Sequence, residues 1–92
     1  MSPISNSQSS FPQQLEGLFQ ELIEQQQDKV LRTARVHYPY LTGDDILNPH
    51  DFPKLMQDPI FSYEDGITAG LMAAQMAIRA HLIRSGENRN ET

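Results

Sequence analysis

The sequence predicts an all-α protein: two long antiparallel helices joined by a proline-rich segment that holds one or two short helical turns. Three observations carry this. Apolar residues recur at helical spacing over two stretches, Phe11 to Tyr38 and Tyr63 to Leu82. Each stretch opens on a capping signal, Ser10 with Gln13 and Ser62 with Asp65. Between them lie Pro39, Pro49, Pro53 and Pro59, which interrupt any continuous helix.

At the N-terminus, Met1 to Ser9 is rich in Ser, Asn and Gln with little to bury, so disorder is expected there. The first helix begins at Ser10. Ser10 and Gln13 have the spacing of a capping box, and Pro12 sits in the first turn, where a missing amide proton costs nothing. Phe11, Leu15, Leu18, Phe19, Leu22 and Ile23 form its apolar stripe, which pauses over EQQQDK and resumes at Val30, Leu31, Ala34 and Tyr38. Gln26 stands where the stripe calls for an apolar residue. A solvated or loosely packed turn is the expectation, and the alternative is a buried amide that fixes helix register. Acids in the first half (Glu16, Glu21, Glu24) and bases in the second (Lys29, Arg32, Arg35) follow the helix dipole. Pro39 ends the helix, because the residue before a proline is pushed out of the α region.

The segment from Pro39 to Phe61 is no flexible linker. Leu41, Ile46, Phe52, Leu55 and Ile60 are among its apolar residues, too much surface to leave in water at roughly 25 cal/mol per Å². Thr42 with Asp45 reads as a cap for a short turn that Pro49 closes. Asp51 with Pro53 opens a second, closed by Pro59. These turns are expected to pack across the long helices as a lid, the alternative being a binding surface.

The second long helix is expected from Ser62, as N-cap with Glu64 and Asp65 in its first turn, to Gly86, where a left-handed glycine stops it. Tyr63, Ile67, Leu71, Ala74, Ile78 and Leu82 would form its packed face. Gly66, Gly70, Ala73 and Ala77 run beside them as a low ridge that another helix can approach closely. Met72, Met76 and Ile83 make a further apolar set. For the methionines core filling is the plain reading, and an adaptable surface for a partner helix the other. Residues 87–92 are polar and expected to be disordered, which leaves one domain over residues 10–86.

Composition removes several classes of function. A net charge of −5 argues against nucleic acid and anionic membrane as partners, since phosphates repel an acidic surface. Lys29, Arg32 and Arg35 make only a short basic strip without the stacking aromatics of an RNA platform. The absence of cysteine removes disulfides and thiolate chemistry and fits a reducing compartment; with no basic start or apolar run in MSPISNSQSS, a cytoplasmic location is expected. The most apolar window, Ile67 to Ile83, is broken by Gln75, Arg79 and His81, so no membrane span is expected. Nor is there a nucleophile elbow or a phosphate loop, and the chain is read as a non-enzyme without a cofactor.

The spacing of the possible metal ligands argues against a metal site. His37, His50, His81, Asp58, Glu64, Asp65 and the acids Asp44, Asp45 and Asp51 include no Glu-x-x-His pair on a long helix, and most of the acids suit helix starts. His81 reads as a core-edge histidine.

Two helices side by side bury one seam, and the second helix has apolar residues beyond one seam. The expectation is therefore a twofold dimer completing a four-helix arrangement, or docking against another protein, through Gly66, Gly70, Met72, Ala73, Met76, Ala77 and Ile83. Function is expected to follow: a small acidic helical interaction module, such as an adaptor, accessory or chaperone-like subunit. The alternative is a small-ligand or metal-binding domain with a site between the Asp44 to Asp51 loop and the start of the last helix.

Overall fold

The computed structural model describes residues 10–91, with side chains described for residues 10–85. The expected disorder of Met1 to Ser9 lies outside the described residues, as does Thr92. All elements are helical: α1 (Phe11–Arg35), two 3₁₀ turns (Asp45–Leu47 and Pro49–Asp51), α2 (Pro53–Met56) and α3 (Pro59–Glu91).

Helix α1 starts where its local signals place it. The Ser10 hydroxyl accepts from the Gln13 amide at 3.3 Å, and the Gln13 side chain accepts from the Ser10 amide at 3.2 Å. It ends at Arg35, ahead of Tyr38, where the amides of Val36 and His37 shift to the carbonyls three residues back, Thr33 and Ala34. In the connecting segment, Thr42 and Asp45 cap each other: the Asp45 carboxylate accepts from the Thr42 amide at 2.9 Å, and the Thr42 hydroxyl accepts from the Asp45 amide. The second turn differs from expectation. The first turn ends ahead of Pro49 as expected, but Pro49 also opens a further 3₁₀ turn, and α2 begins at Pro53 with no side-chain cap from Asp51.

Helix α3 starts three residues before Ser62. Asp58 is its cap, accepting from the Ile60 amide on its side chain at 2.9 Å and from the Ser62 amide on its carbonyl at 3.0 Å, with Pro59 in the first helical position. The sequence expectation took Pro59 as the close of the preceding turn, but a proline fits the first position of a helix equally well. At the other end Gly86 does not stop the helix, which continues to Glu91.

The two long helices run antiparallel, since Gln26 meets Glu64 while Glu16 meets Arg79. Their seam steps by threes and fours: Phe19, Ile23, Gln26 and Val30 on α1 face Phe61, Glu64, Thr68, Leu71 and Gln75 on α3. This is a different face of α3 from the expected one. Tyr63 and Ala74 are exposed, and the packed face is rotated by roughly 70° at about 100° per residue. Phe61 sets the rotation. It belongs to the helix only because Asp58 and Pro59 start it early, and it is buried with Val30, Ala34, Leu41 and Leu55.

That cluster is the core, and it lies at the loop end of the hairpin. Leu31, Tyr38, Ile46 and Phe52 pack around it, with Tyr38 and Phe52 edge to face at 5.2 Å between centroids. The Arg35 guanidinium Nε donates to the Leu41 carbonyl at 2.8 Å and ties the connecting segment to α1. The segment therefore packs as a lid through Leu41 and Leu55, while Tyr40, Leu47 and Met56 face solvent. At the open end there is no comparable core. Below Ile23 on α1 no described residue is fully buried, and beyond Gln75 on α3 none is.

Candidate functional site

The surface of α3 away from α1 is where the sequence placed an interface, and every residue of it is exposed: Gly66, Gly70, Met72, Ala73, Met76, Ala77 and Ile83. At about 100° per residue, the ridge of Gly66, Gly70, Ala73 and Ala77 points almost directly away from the seam. The methionines and Ile83 lie on one flank between ridge and seam. Core filling does not describe Met76, which is 67% exposed, while Met72 is 39% exposed and lines a cleft with Val30. A side chain added at Gly66 or Gly70 would meet only open space. From Ile67 to Ile78 the helix carries no charge at all, and yet α1 covers only one side of it.

A cleft of about 200 Å³ opens where the connecting segment meets the long helices. Ile46, Leu47 and Pro49 form one wall, Val30 the floor, and Ala69 and Met72 the other wall, with Gln27 and Asp65 as polar lining. It coincides with the ligand site considered between the Asp44 to Asp51 loop and the start of the last helix, but its walls are apolar. Small-molecule pockets usually run from about 300 Å³ upward, so this one suits a single apolar side chain or a few-atom ligand. Two of the acids near it are engaged elsewhere. Asp45 caps its turn, and Glu64, buried in the seam, accepts from Gln26 and lies 3.5 Å from Lys29 Nζ. Among the described residues no three His, Asp or Glu side chains come together as a metal site would need.

Gln26 corrects the expectation of a solvated turn. Its Nε2 donates to both the carbonyl and the carboxylate of Glu64, so the buried-amide alternative describes it. Near the hairpin end His37 Nε2 and Asp58 Oδ2 lie 2.8 Å apart, joining the exit of α1 to the start of α3. The hydrogen bond from His37, with further help from the amides of Ile60 and Phe61, holds the Asp58 carboxyl below its ordinary value against the opposing effect of burial. Neither group was singled out as a pair by the sequence, because 21 residues separate them. His81, expected at the core edge, is exposed.

Compared with protein-family models, curated proteins and solved structures, the chain matches none. No helix among the described residues is long and apolar enough to cross a membrane.

Proposed function

We propose that the protein is a non-enzymatic interaction module that presents the outer surface of α3 to a helix of another protein. One observation carries the reading. Gly66 and Gly70 each cost an exposed helix about 1 kcal/mol relative to alanine, and no described residue comes within 4 Å of a side chain added at either position. A partner helix packing on the ridge supplies a reason for them, because a bare backbone lets two helices come close. Met72, Met76 and Ile83 beside the ridge offer the apolar contact that such a partner would bury. The acidic balance of the chain leaves recognition to this uncharged stretch rather than to steering by phosphate.

The test compares co-purifying proteins for the wild type and for variants. Ala73→Arg and Ala77→Arg are expected to lose a partner that wild type retains, while Gly17→Ala on α1, equally open, keeps it. The reading fails if no protein shows that pattern.

The cleft favours a second reading, a binding domain for a small apolar ligand held between Pro49 and Met72. Ligand-observed magnetic resonance with a fragment set would test it. Hits that persist in Ala69→Leu, which adds bulk to the cleft, would count against it.

A further inference from the structure

The hairpin has two broad faces, and the connecting segment covers only one. Ile46, Leu47 and Pro49 approach Gln27 and Val30 of α1 and Ala69 and Met72 of α3, which places the segment on the flank of each helix that these residues define. Toward the open end the same side is polar, carrying the Arg79–Glu16 ion pair. Turned the other way from the seam are Phe11, Leu18 and Leu22 on α1, and Ile67, Ala74 and Ile78 on α3. In an antiparallel pair these two flanks lie on one face. Its apolar character is exposed: Phe11 and Leu18 are more than half accessible, and Tyr63 and Val36 extend the same face toward the loop end.

We infer that this uncovered face is the dimer interface of the protein, occupied by a second copy of the same chain in a twofold four-helix arrangement. Three arguments converge on that occupant. First, the described residues of the open half of the hairpin form no fully buried apolar core, and a two-helix ribbon without one needs another layer to close it. Second, the face has the size of a stable interface. From Phe11 to Val36 it runs about 38 Å at 1.5 Å per residue and about 20 Å across two helices, with Gln25 and Lys29 between its apolar ends and Lys29 drawn toward Glu64. The resulting footprint of about 750 Å² is close to the roughly 800 Å² per partner of standard complexes. Third, the charges permit self-association here. A chain of net charge −5 repels its own copy, but the residues of this face between Phe11 and Leu22 and between Ile67 and Ile78 include no carboxylate. A hairpin presents two apolar stripes to two apolar stripes, so a second copy covers both, whereas a lone helix covers the groove between them.

This surface is separate from the ridge of α3, and the two are told apart by neighbouring residues. Ala73 lies on the ridge and Ala74 on the dimer face, about 100° apart around the helix. The chain has no cysteine, so each position can be labelled uniquely. Sedimentation of the full chain is expected to show a dimer at about 10 μM and above. With Ala74→Cys, a short bifunctional maleimide is expected to link most of the chain into dimers, and with Ala73→Cys at least tenfold less. Leu18→Glu combined with Leu22→Glu is expected to weaken self-association at least tenfold. Should that variant lose its helical circular dichroism, the cysteine pair still decides. A wild-type monomer at about 100 μM overturns the inference, and so does a dimer that links through Ala73→Cys but not through Ala74→Cys.

Discussion

Gln26 and Glu64 meet across the seam between α1 and α3, where the Gln26 amide donates to the Glu64 carbonyl at 2.9 Å and to its carboxylate at 2.8 Å. Glu64 is only 8% exposed, and its other carboxylate oxygen lies 3.5 Å from Lys29 Nζ. A carboxylate in that position needs partners, because burial without them costs more than the hydrogen bonds return. The pair also favours one register, since Gln26 is the one amide among the seam positions Phe19, Ile23, Gln26 and Val30 of α1.

Gln26→Leu removes the donor and leaves the carboxylate with one half-exposed lysine. A loss of about 1–3 kcal/mol is expected in urea unfolding. Adding Glu64→Leu should recover most of it, because both polar groups then leave the seam together. If the double variant is as unstable as the single one, the amide is not acting through Glu64.

Gln75 is the opposite case. Its amide nitrogen is buried with no hydrogen-bond partner among the described residues. Gln75→Met keeps the shape and removes the orphan, so the urea midpoint should rise by the equivalent of about 1 kcal/mol. A lower midpoint would mean that the amide finds a partner in solution.

Leu55 holds the connecting segment to the core and is completely buried. Leu55→Ala is expected to cost about 2–5 kcal/mol through lost burial and the cavity left behind. Tyr40→Ala, in the same segment but exposed, should stay within about 0.5 kcal/mol. Chemical denaturation of both variants separates a packed lid from a loosely tethered one.

Asp58 links stability to acid. Its folded carboxyl titrates below the ordinary value of 3.8, first because of the hydrogen bond from His37. A depressed carboxylate contributes stability fully above its unfolded pKa and loses that contribution as pH falls through the folded one. Thermal stability should therefore fall below about pH 4 in wild type, and Asp58→Asn should flatten that limb. Asparagine keeps the helix cap, so the change reports the charge and not the cap. An acid limb identical in both proteins would place the effect on other carboxylates.

Gly70→Ala offers a direct reading of the ridge. With open space around it, the substitution should stabilise the chain by about 0.5–1 kcal/mol. If a partner helix packs closely there, the same substitution weakens that complex, so stability and binding move in opposite directions.

Much of the architecture was legible in short-range chemistry. Ser10 with Gln13, and Thr42 with Asp45, are caps whose partners lie three residues apart, so the sequence shows both halves of each interaction. Helix starts at prolines were harder. Pro49 and Pro59 each follow the end of one element, as the sequence suggested, and also open the next, since a fixed φ and a missing amide suit either side of a boundary. The pairing of His37 with Asp58, and of Gln26 with Glu64, left no local trace.

By itself the sequence determined that the chain forms two long helices with a packed, proline-punctuated connection, because capping, proline geometry and apolar spacing act between near neighbours. It also showed that α3 is apolar on more than one side. Only the tertiary structure decided which side faces α1. The faces of α3 are too alike in apolar content for periodicity to choose between them, and the choice fell to Phe61 packing with Leu55 and Val30 and to Glu64 meeting Gln26. The same packing put the core at one end and left the other half of the hairpin a two-helix ribbon, a consequence of how distant segments share burial rather than of any local preference.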